Sequence, residues 1–199
     1  MSFEIVPFTR DEILQQMPGI VSIYRAAFDG PPYGEDAAGS ESFAAHLRFH
    51  SLRAGFRFFA ARCLGSDECQ ESARLVGFSY GYTGGPGLWW FDLVSTAIDP
   101  EIYNTWMTDY FEVVELAVDP QYQGLKLGAG LHDRLLAGLP HHTAVLSTIQ
   151  FETTALQFYR KRGWVSLLDN FYFPGSKNPY LIMGFDLKKS NGRSPQTPG

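Results

Sequence analysis

The residues that could do chemistry begin with the run Val118-Asp119-Pro120-Gln121-Tyr122-Gln123-Gly124-Leu125-Lys126-Leu127-Gly128-Ala129-Gly130-Leu131. A strand-like segment passes through a glycine-bearing loop straight into a leucine-rich helix. Such a junction aims several backbone N–H groups and the positive end of a helix at one point. That arrangement suits a pyrophosphate. No Gly-Lys-Ser/Thr triplet follows, so this is not a Walker loop, and the spacing is not that of Gly-x-Gly-x-x-Gly. The competing reading is a plain strand-to-helix turn whose glycines are there for steric reasons. Just upstream, Phe-Glu-Val-Val-Glu-Leu-Ala-Val from Phe111 adds two carboxylates, Glu112 and Glu115. Three apart in an element of period two, they face opposite sides. Either could accept a proton, and either could simply face solvent.

Those groups must be positioned by the elements around them. Residues 3–8 read as a strand. Thr9 and Asp11 offer capping oxygens before Ile13, Leu14, Met17, Ile20, Val21 and Tyr24, which recur at helical spacing. Pro18 should kink or divide that helix. A loop at Gly30-Pro31-Pro32-Tyr33-Gly34 leads to a second helix over 41–53. Strands at 56–63 and 74–83 flank a polar hairpin loop, 65–72. The stretch 88–110 reads as an excursion that turns helical after Pro100. A strand at 111–118 ends at the Asp119-Pro120 turn, and the next helix carries Leu127, Leu131, Leu135 and Leu139 until Pro140 stops it. A strand at 144–149, a helix at 153–162 closed by Gly163, and an antiparallel pair at 164–168 and 180–187 complete the pattern. Residues 190–199 read as a flexible tail behind a single domain, 1–189.

Composition bounds the function. The 199 residues suit one domain of ordinary size, and 45% apolar with 15% aromatic content supplies a core, which excludes wholesale disorder. A net charge of −5 and the lack of a basic stripe speak against a nucleic-acid partner. Apolar runs are too short to span a bilayer, and the amino terminus does not resemble a signal peptide. A soluble cytoplasmic protein is therefore expected. Two cysteines, Cys63 and Cys69, make neither a disulfide framework nor a four-ligand zinc site, and no metal is expected. His132, His141 and His142 are expected to face solvent.

Two segments carry a family likeness. Gln123 and Gly128 fill the first and last positions of Gln/Arg-x-x-Gly-x-Gly/Ala. Downstream, Ala155-Leu156-Gln157-Phe158-Tyr159-Arg160-Lys161-Arg162-Gly163-Trp164 follows Ala-x-x-Phe-Tyr-x-x-x-Gly-Phe loosely. In this order and spacing the pair resembles motifs A and B of the GNAT superfamily of N-acetyltransferases, and a looser likeness extends over 3–187. The resemblance implies an α/β (α+β) fold with a mixed, mostly antiparallel central sheet of six to seven strands. About four helices would flank it, and the strands at 111–118 and 144–149 would splay apart.

The same resemblance implies acetyl-CoA as co-substrate, with the acetyl group passing to an amine of a small molecule or peptide by direct attack in a ternary complex. Leu116, Ala117, Val118, Gln123, Gly124, Leu125, Lys126, Leu127, Gly128, Ala129, Glu152 and Phe158 would then contact the cofactor. Tyr159 would be the general acid; a phenol of pKa about 10 stays protonated at neutral pH. Glu112 would be the base, with Glu115 or water as the alternative, and a backbone N–H near Leu116 would receive the oxyanion. Two positions depart from the pattern. Lys126 replaces the middle glycine of motif A, at a cost of about 1–2 kcal/mol if its φ is positive. Glu152 stands where many relatives carry an asparagine. Phe28, Tyr33, Trp89, Trp90 and Phe173 are the candidates for lining the acceptor site. The chain would work as a monomer or homodimer. Two competing readings are a non-catalytic acyl-CoA-binding module of the same fold and an interaction protein using 88–110 as a partner surface.

Overall fold

The computed structural model describes residues 2–34, 37–65 and 74–191. Cys69, nearly all of the hairpin loop expected at 65–72, and residues 192–199 of the expected tail lie outside the described residues. In chain order the elements are β1 (Ser2–Pro7), α1 (Arg10–Gln15), α2 (Met17–Phe28), α3 (Ala37–His50), β2 (Arg57–Leu64), β3 (Arg74–Thr83), α4 (Trp89–Ser95) and α5 (Pro100–Trp106). There follow β4 (Tyr110–Val118), a 3₁₀ turn (Pro120–Tyr122), α6 (Leu127–Leu136), β5 (Thr143–Ile149), α7 (Thr154–Lys161), β6 (Val165–Phe171), β7 (Tyr180–Asp186) and α8 (Leu187–Asn191). The seven strands run in the order β1-β2-β3-β4-β5-β7-β6. Pairing is mostly antiparallel, while β4 runs parallel to β5 over Tyr110–Glu112 against Thr143–Val145.

By its contacts the chain divides into two compact units, 1–83 with 113–137, and 84–112 with 138–199. In the first, Thr9 and Glu12 close a reciprocal capping box at the start of α1, and Pro18 falls in the first turn of α2, where no N–H is needed. The proline divides the helix, as its sequence position implied. Ile13, Ile20 and Leu47 pack on Phe58, Phe78 and Tyr80, all at most 2% exposed. Phe58 stacks on Phe8 at 5.8 Å and on Phe78 at 5.6 Å. The opposite face of β3 receives α6. Ser79 Oγ donates to Leu131 O at 3.2 Å, and a Cβ at Gly77 would lie 3.0 Å from Ala117 O. At the far end of α6, Arg57 donates to Ala137 O at 2.9 Å and to Arg134 O at 3.3 Å, satisfying carbonyls the helix cannot.

In the second unit β5 pairs antiparallel with β7 and β7 with β6. Trp90, Phe91, Val94, Met107, Tyr110, Val145 and Ile182 form its core. Several boundaries differ from the sequence expectation. The described residues hold eight helices rather than about four. One of the extra ones is α4, whose buried Trp90, Phe91 and Val94 have helical spacing that the dense aromatics concealed. α3 begins four residues before the expected start, and α6 ends at Leu136, with Gly138 in a left-handed conformation (φ +67°) ahead of Leu139. His132 and His141 are buried, at 5% and 8% exposure, contrary to the solvent-facing expectation. His142 is exposed and lies 3.6 Å from Asp109. Among the described residues no helix is long and apolar enough to cross a membrane.

Candidate functional site

The loop after β4 is tied down before it turns. Asp119 N donates to Val76 O at 2.9 Å, which fastens the strand end to β3. The Asp119 side chain, 9% exposed, accepts from Gln121 N at 3.0 Å and lies 3.5 Å from the Arg74 guanidinium. Tyr122 is buried edge-on against Phe3 at 6.1 Å, with Arg74 over its ring at 5.7 Å. Gln123 Nε2 then reaches back to Val118 O at 3.2 Å. The motif glutamine therefore closes the loop on its own strand. Asp119 and Arg74 were not anticipated as parts of this device; only the Asp-Pro turn signal hinted at the first.

Two residues take the left-handed conformation, Gly124 (φ +78°) and Lys126 (φ +63°, ψ 10°). Lys126 thus occupies the backbone state that a glycine would take freely, at the cost of about 1–2 kcal/mol foreseen from sequence. It is also the N-cap of α6 and contributes no side-chain cap. The N–H groups of Leu127 and Gly128 open the helix, where geometry provides no intrahelical acceptor. Gly128 is the informative residue. Its φ is not positive, and an added Cβ would meet only Leu116 Cδ2 at 3.8 Å and Val118 Cγ2 at 3.9 Å, ordinary contacts. Neither backbone nor packing demands glycine there. Gly130 differs, since its Cβ would fall 2.5 Å from Ile5 Cδ1. Residues 123–126 are exposed, so bare backbone at 124 and 128 faces a surface that a phosphate can approach.

Along β4, Leu116 is partly exposed while Ala117 and Val118 are buried. Glu112 is 4% exposed and sits in register with Val145; Glu115 is partly exposed. On α7, Thr153 Oγ1 caps the first turn by accepting from Leu156 N at 3.1 Å. Tyr159 is 8% exposed, with its ring edge-on to Phe158 at 5.3 Å and to Trp164 at 5.5 Å. Trp164 N donates to Tyr159 O at 3.1 Å, and Trp164 stacks on Phe185 at 5.4 Å, so the tyrosine is firmly seated. Phe158 is half-buried under the Arg162 guanidinium. Glu152 is exposed and ion-paired with Arg160.

The acceptor candidates fall into separate groups. In the first unit Phe28 packs on Tyr24 at 4.9 Å and Tyr33 at 5.0 Å. In the second, Trp89 stacks on Phe173 at 5.4 Å. Trp90 is 7% exposed and donates from Nε1 to Ser147 Oγ at 3.2 Å. A further titratable group ends α3, where His50 Nδ1 is 3.3 Å from the Tyr80 hydroxyl. Burial, aided by Arg53 and His46, holds this imidazole down to about 4. Burial likewise lowers His141. Among the described residues no group of three or more His, Cys, Asp or Glu side chains is arranged to hold a metal ion.

Comparison with known proteins converges on one family. Residues 104–178 match the family model described as an acetyltransferase (GNAT) domain. A GCN5-like protein acetyltransferase of Mycobacterium tuberculosis is 33% identical over 125 residues, 59% of this chain and 61% of that relative. The chain thus matches only about three-fifths of that protein's length. The fold is similar to that of the PaiA N-acetyltransferase from Thermoplasma acidophilum, solved in complex with coenzyme A, at TM-score 0.60 and 15% identity over 94% of this chain and 99% of that one. It is similar also to a GNAT-family acetyltransferase from Bacillus cereus, at TM-score 0.58 and 11% identity over 94% and 98% of the two chains. The family model spans β4, the glycine loop and the Tyr159 helix. Residues 104–178 thus match the GNAT acetyltransferase domain, and the chain is similar in sequence to one acetyltransferase and in fold to others.

Proposed function

We propose that the protein is an acetyl-CoA-dependent N-acetyltransferase acting on an amine of a small molecule or peptide. The observation that carries this reading is Gly128, a helical glycine that neither φ nor packing requires, at the head of α6. A side chain is missing where a pyrophosphate would need to touch backbone. Leu127 and Gly128 supply N–H groups there, Gly124 and Lys126 supply the turn, and Gln123 holds the loop to β4. Leu116, Ala117 and Val118 would offer strand backbone to the pantetheine arm.

The transfer forms a carbon–nitrogen bond and breaks a carbon–sulfur bond. Glu112 accepts the amine proton, directly or through water, and Tyr159 delivers its phenolic proton to the departing sulfur. A backbone N–H near Leu116 stabilises the charge gathering on the carbonyl oxygen. No covalent enzyme intermediate is needed. Incubating the full chain with acetyl-CoA and a panel of primary amines, and following free-thiol release, tests the reading. Amine-dependent release supports it, whereas tight CoA binding with no release across the panel would assign the chain to non-catalytic acyl-CoA binding.

A further inference from the structure

The segment 84–109 holds five aromatic residues and four carboxylates, Asp92, Asp99, Glu101 and Asp109, but no lysine or arginine. Most of these rings are core, as Trp90 and Phe91 show at 7% and 5% exposure. Trp89 is not. It stands 60% exposed with its ring laid on Phe173 at an interplanar angle of 22°. Its indole therefore presents apolar, electron-rich surface to solvent.

The stack is rigidly backed. Phe173 is held edge-on by Phe171 at 4.8 Å and by Tyr180 at 5.0 Å. Trp89 opens α4 behind a turn in which Gly87 takes φ +82° and donates its N–H to Asp92 Oδ1 at 3.0 Å. That bond places the Asp92 carboxylate at the same helix end as the Trp89 ring. The location is also defined within the second unit. Tyr180 is in register with Ile149, the last residue of β5, and neighbouring Trp90 is bonded to Ser147 of the same strand. From there only a few residues lead to Thr153 and the helix of Tyr159. An exposed indole on a helix end that also carries a carboxylate, within a segment 84–109 free of lysine and arginine, is suited to a cation.

We propose that Trp89, seated on Phe173 and assisted by Asp92, selects acceptor amines that carry a second, cationic group. One nitrogen of the acceptor is neutral and attacks; the other, an ammonium or guanidinium, rests on the free face of Trp89 and leaves unacetylated. This rests on the transferase reading above and narrows its acceptor class. The test uses the full chain and two primary alkylamines of equal shape, one ending in trimethylammonium and one in tert-butyl, with binding measured by calorimetry. The charged probe is expected to bind about fivefold to thirtyfold more tightly. Trp89→Leu should erase that preference, Trp89→Phe should leave part of it, and Asp92→Asn should reduce it. Equal affinity for the two probes, binding of neither, or a preference that survives Trp89→Leu would overturn the proposal. CoA affinity measured in parallel reports on the transferase reading alone, so the two ideas can fail separately.

Discussion

The glycine loop of the first unit and the aromatic surface of the second are built on opposite principles. Between Gln123 and Gly128 two glycines bare the backbone and Gln123 is spent on Val118 O, although Leu125 and Lys126 remain exposed. At Trp89 and Phe173 the contact is all side chain, with backbone serving only to aim it. A backbone cradle suits a ligand part that never changes, because any sequence that keeps the turn keeps the site. A side-chain surface can be altered one ring at a time without disturbing the fold. Under the proposed function, the first would hold a common donor and the second would choose an acceptor.

The sharpest way to break this comparison lies in Tyr159. Tyr159→Phe keeps the ring between Phe158 and Trp164, so folding should persist, while kcat should fall by about 10²–10⁴ with nearly constant KM for acetyl-CoA. An unchanged kcat, in an assay where chemistry limits the rate, would return Tyr159 to the core. Asp119→Ala comes next. It removes the acceptor for Gln121 N and the partner of Arg74, so denaturant unfolding should show a loss of about 1–2 kcal/mol. CoA affinity should drop severalfold as the loop loosens, and unchanged stability would deny Asp119 its anchoring role.

Two smaller effects sharpen the picture. His50 is held to about 4 in the folded chain against 6.5 for a free imidazole, so the unfolded state binds the extra proton first. Stability should therefore fall as pH drops from 6.5 through about 4, and His50→Gln should flatten that slope in urea titrations across the window. Identical slopes would remove His50 from the acid response. Lys126→Gly relieves a positive φ worth about 1–2 kcal/mol but frees the unfolded chain by about 0.4–1 kcal/mol. The net gain in stability should fall between about 0 and about 1.6 kcal/mol, with CoA affinity within about tenfold, since one exposed charge is worth roughly 1 kcal/mol. A loss of several hundredfold would show that the lysine is a dedicated phosphate ligand.

How much of this was legible in the sequence follows from where each signal resides. The strand through Val118, the Asp-Pro turn and Leu127, Leu131 and Leu135 of α6 are local patterns and appear where the pattern put them, whereas Leu139 falls beyond the helix end at Leu136. The division of the first helix at Pro18 is equally local. α4 was lost because its apolar residues stand among aromatics on both sides, which blurs a period read over seven residues. His132 misled because the buried face of α6 is broad, taking in Leu131, His132, Leu135 and Leu136 together. The stack of Trp89 on Phe173 joins residues 84 positions apart, and no local pattern encodes it. Gly128 was legible only as a motif letter; its lack of any packing reason needed coordinates.

If residues 123–128 hold the donor by backbone, as proposed, calorimetry with CoA on folded Gly128→Val and Gln123→Ala will reveal it. Valine at 128 places a branched side chain by the helix N–H groups, and its Cβ would meet only ordinary contacts. The account expects Gly128→Val to retain its fold and weaken CoA by a hundredfold or more, on the order of 3 kcal/mol, and Gln123→Ala to weaken it only modestly. Small and equal losses from the two substitutions would contradict the cradle.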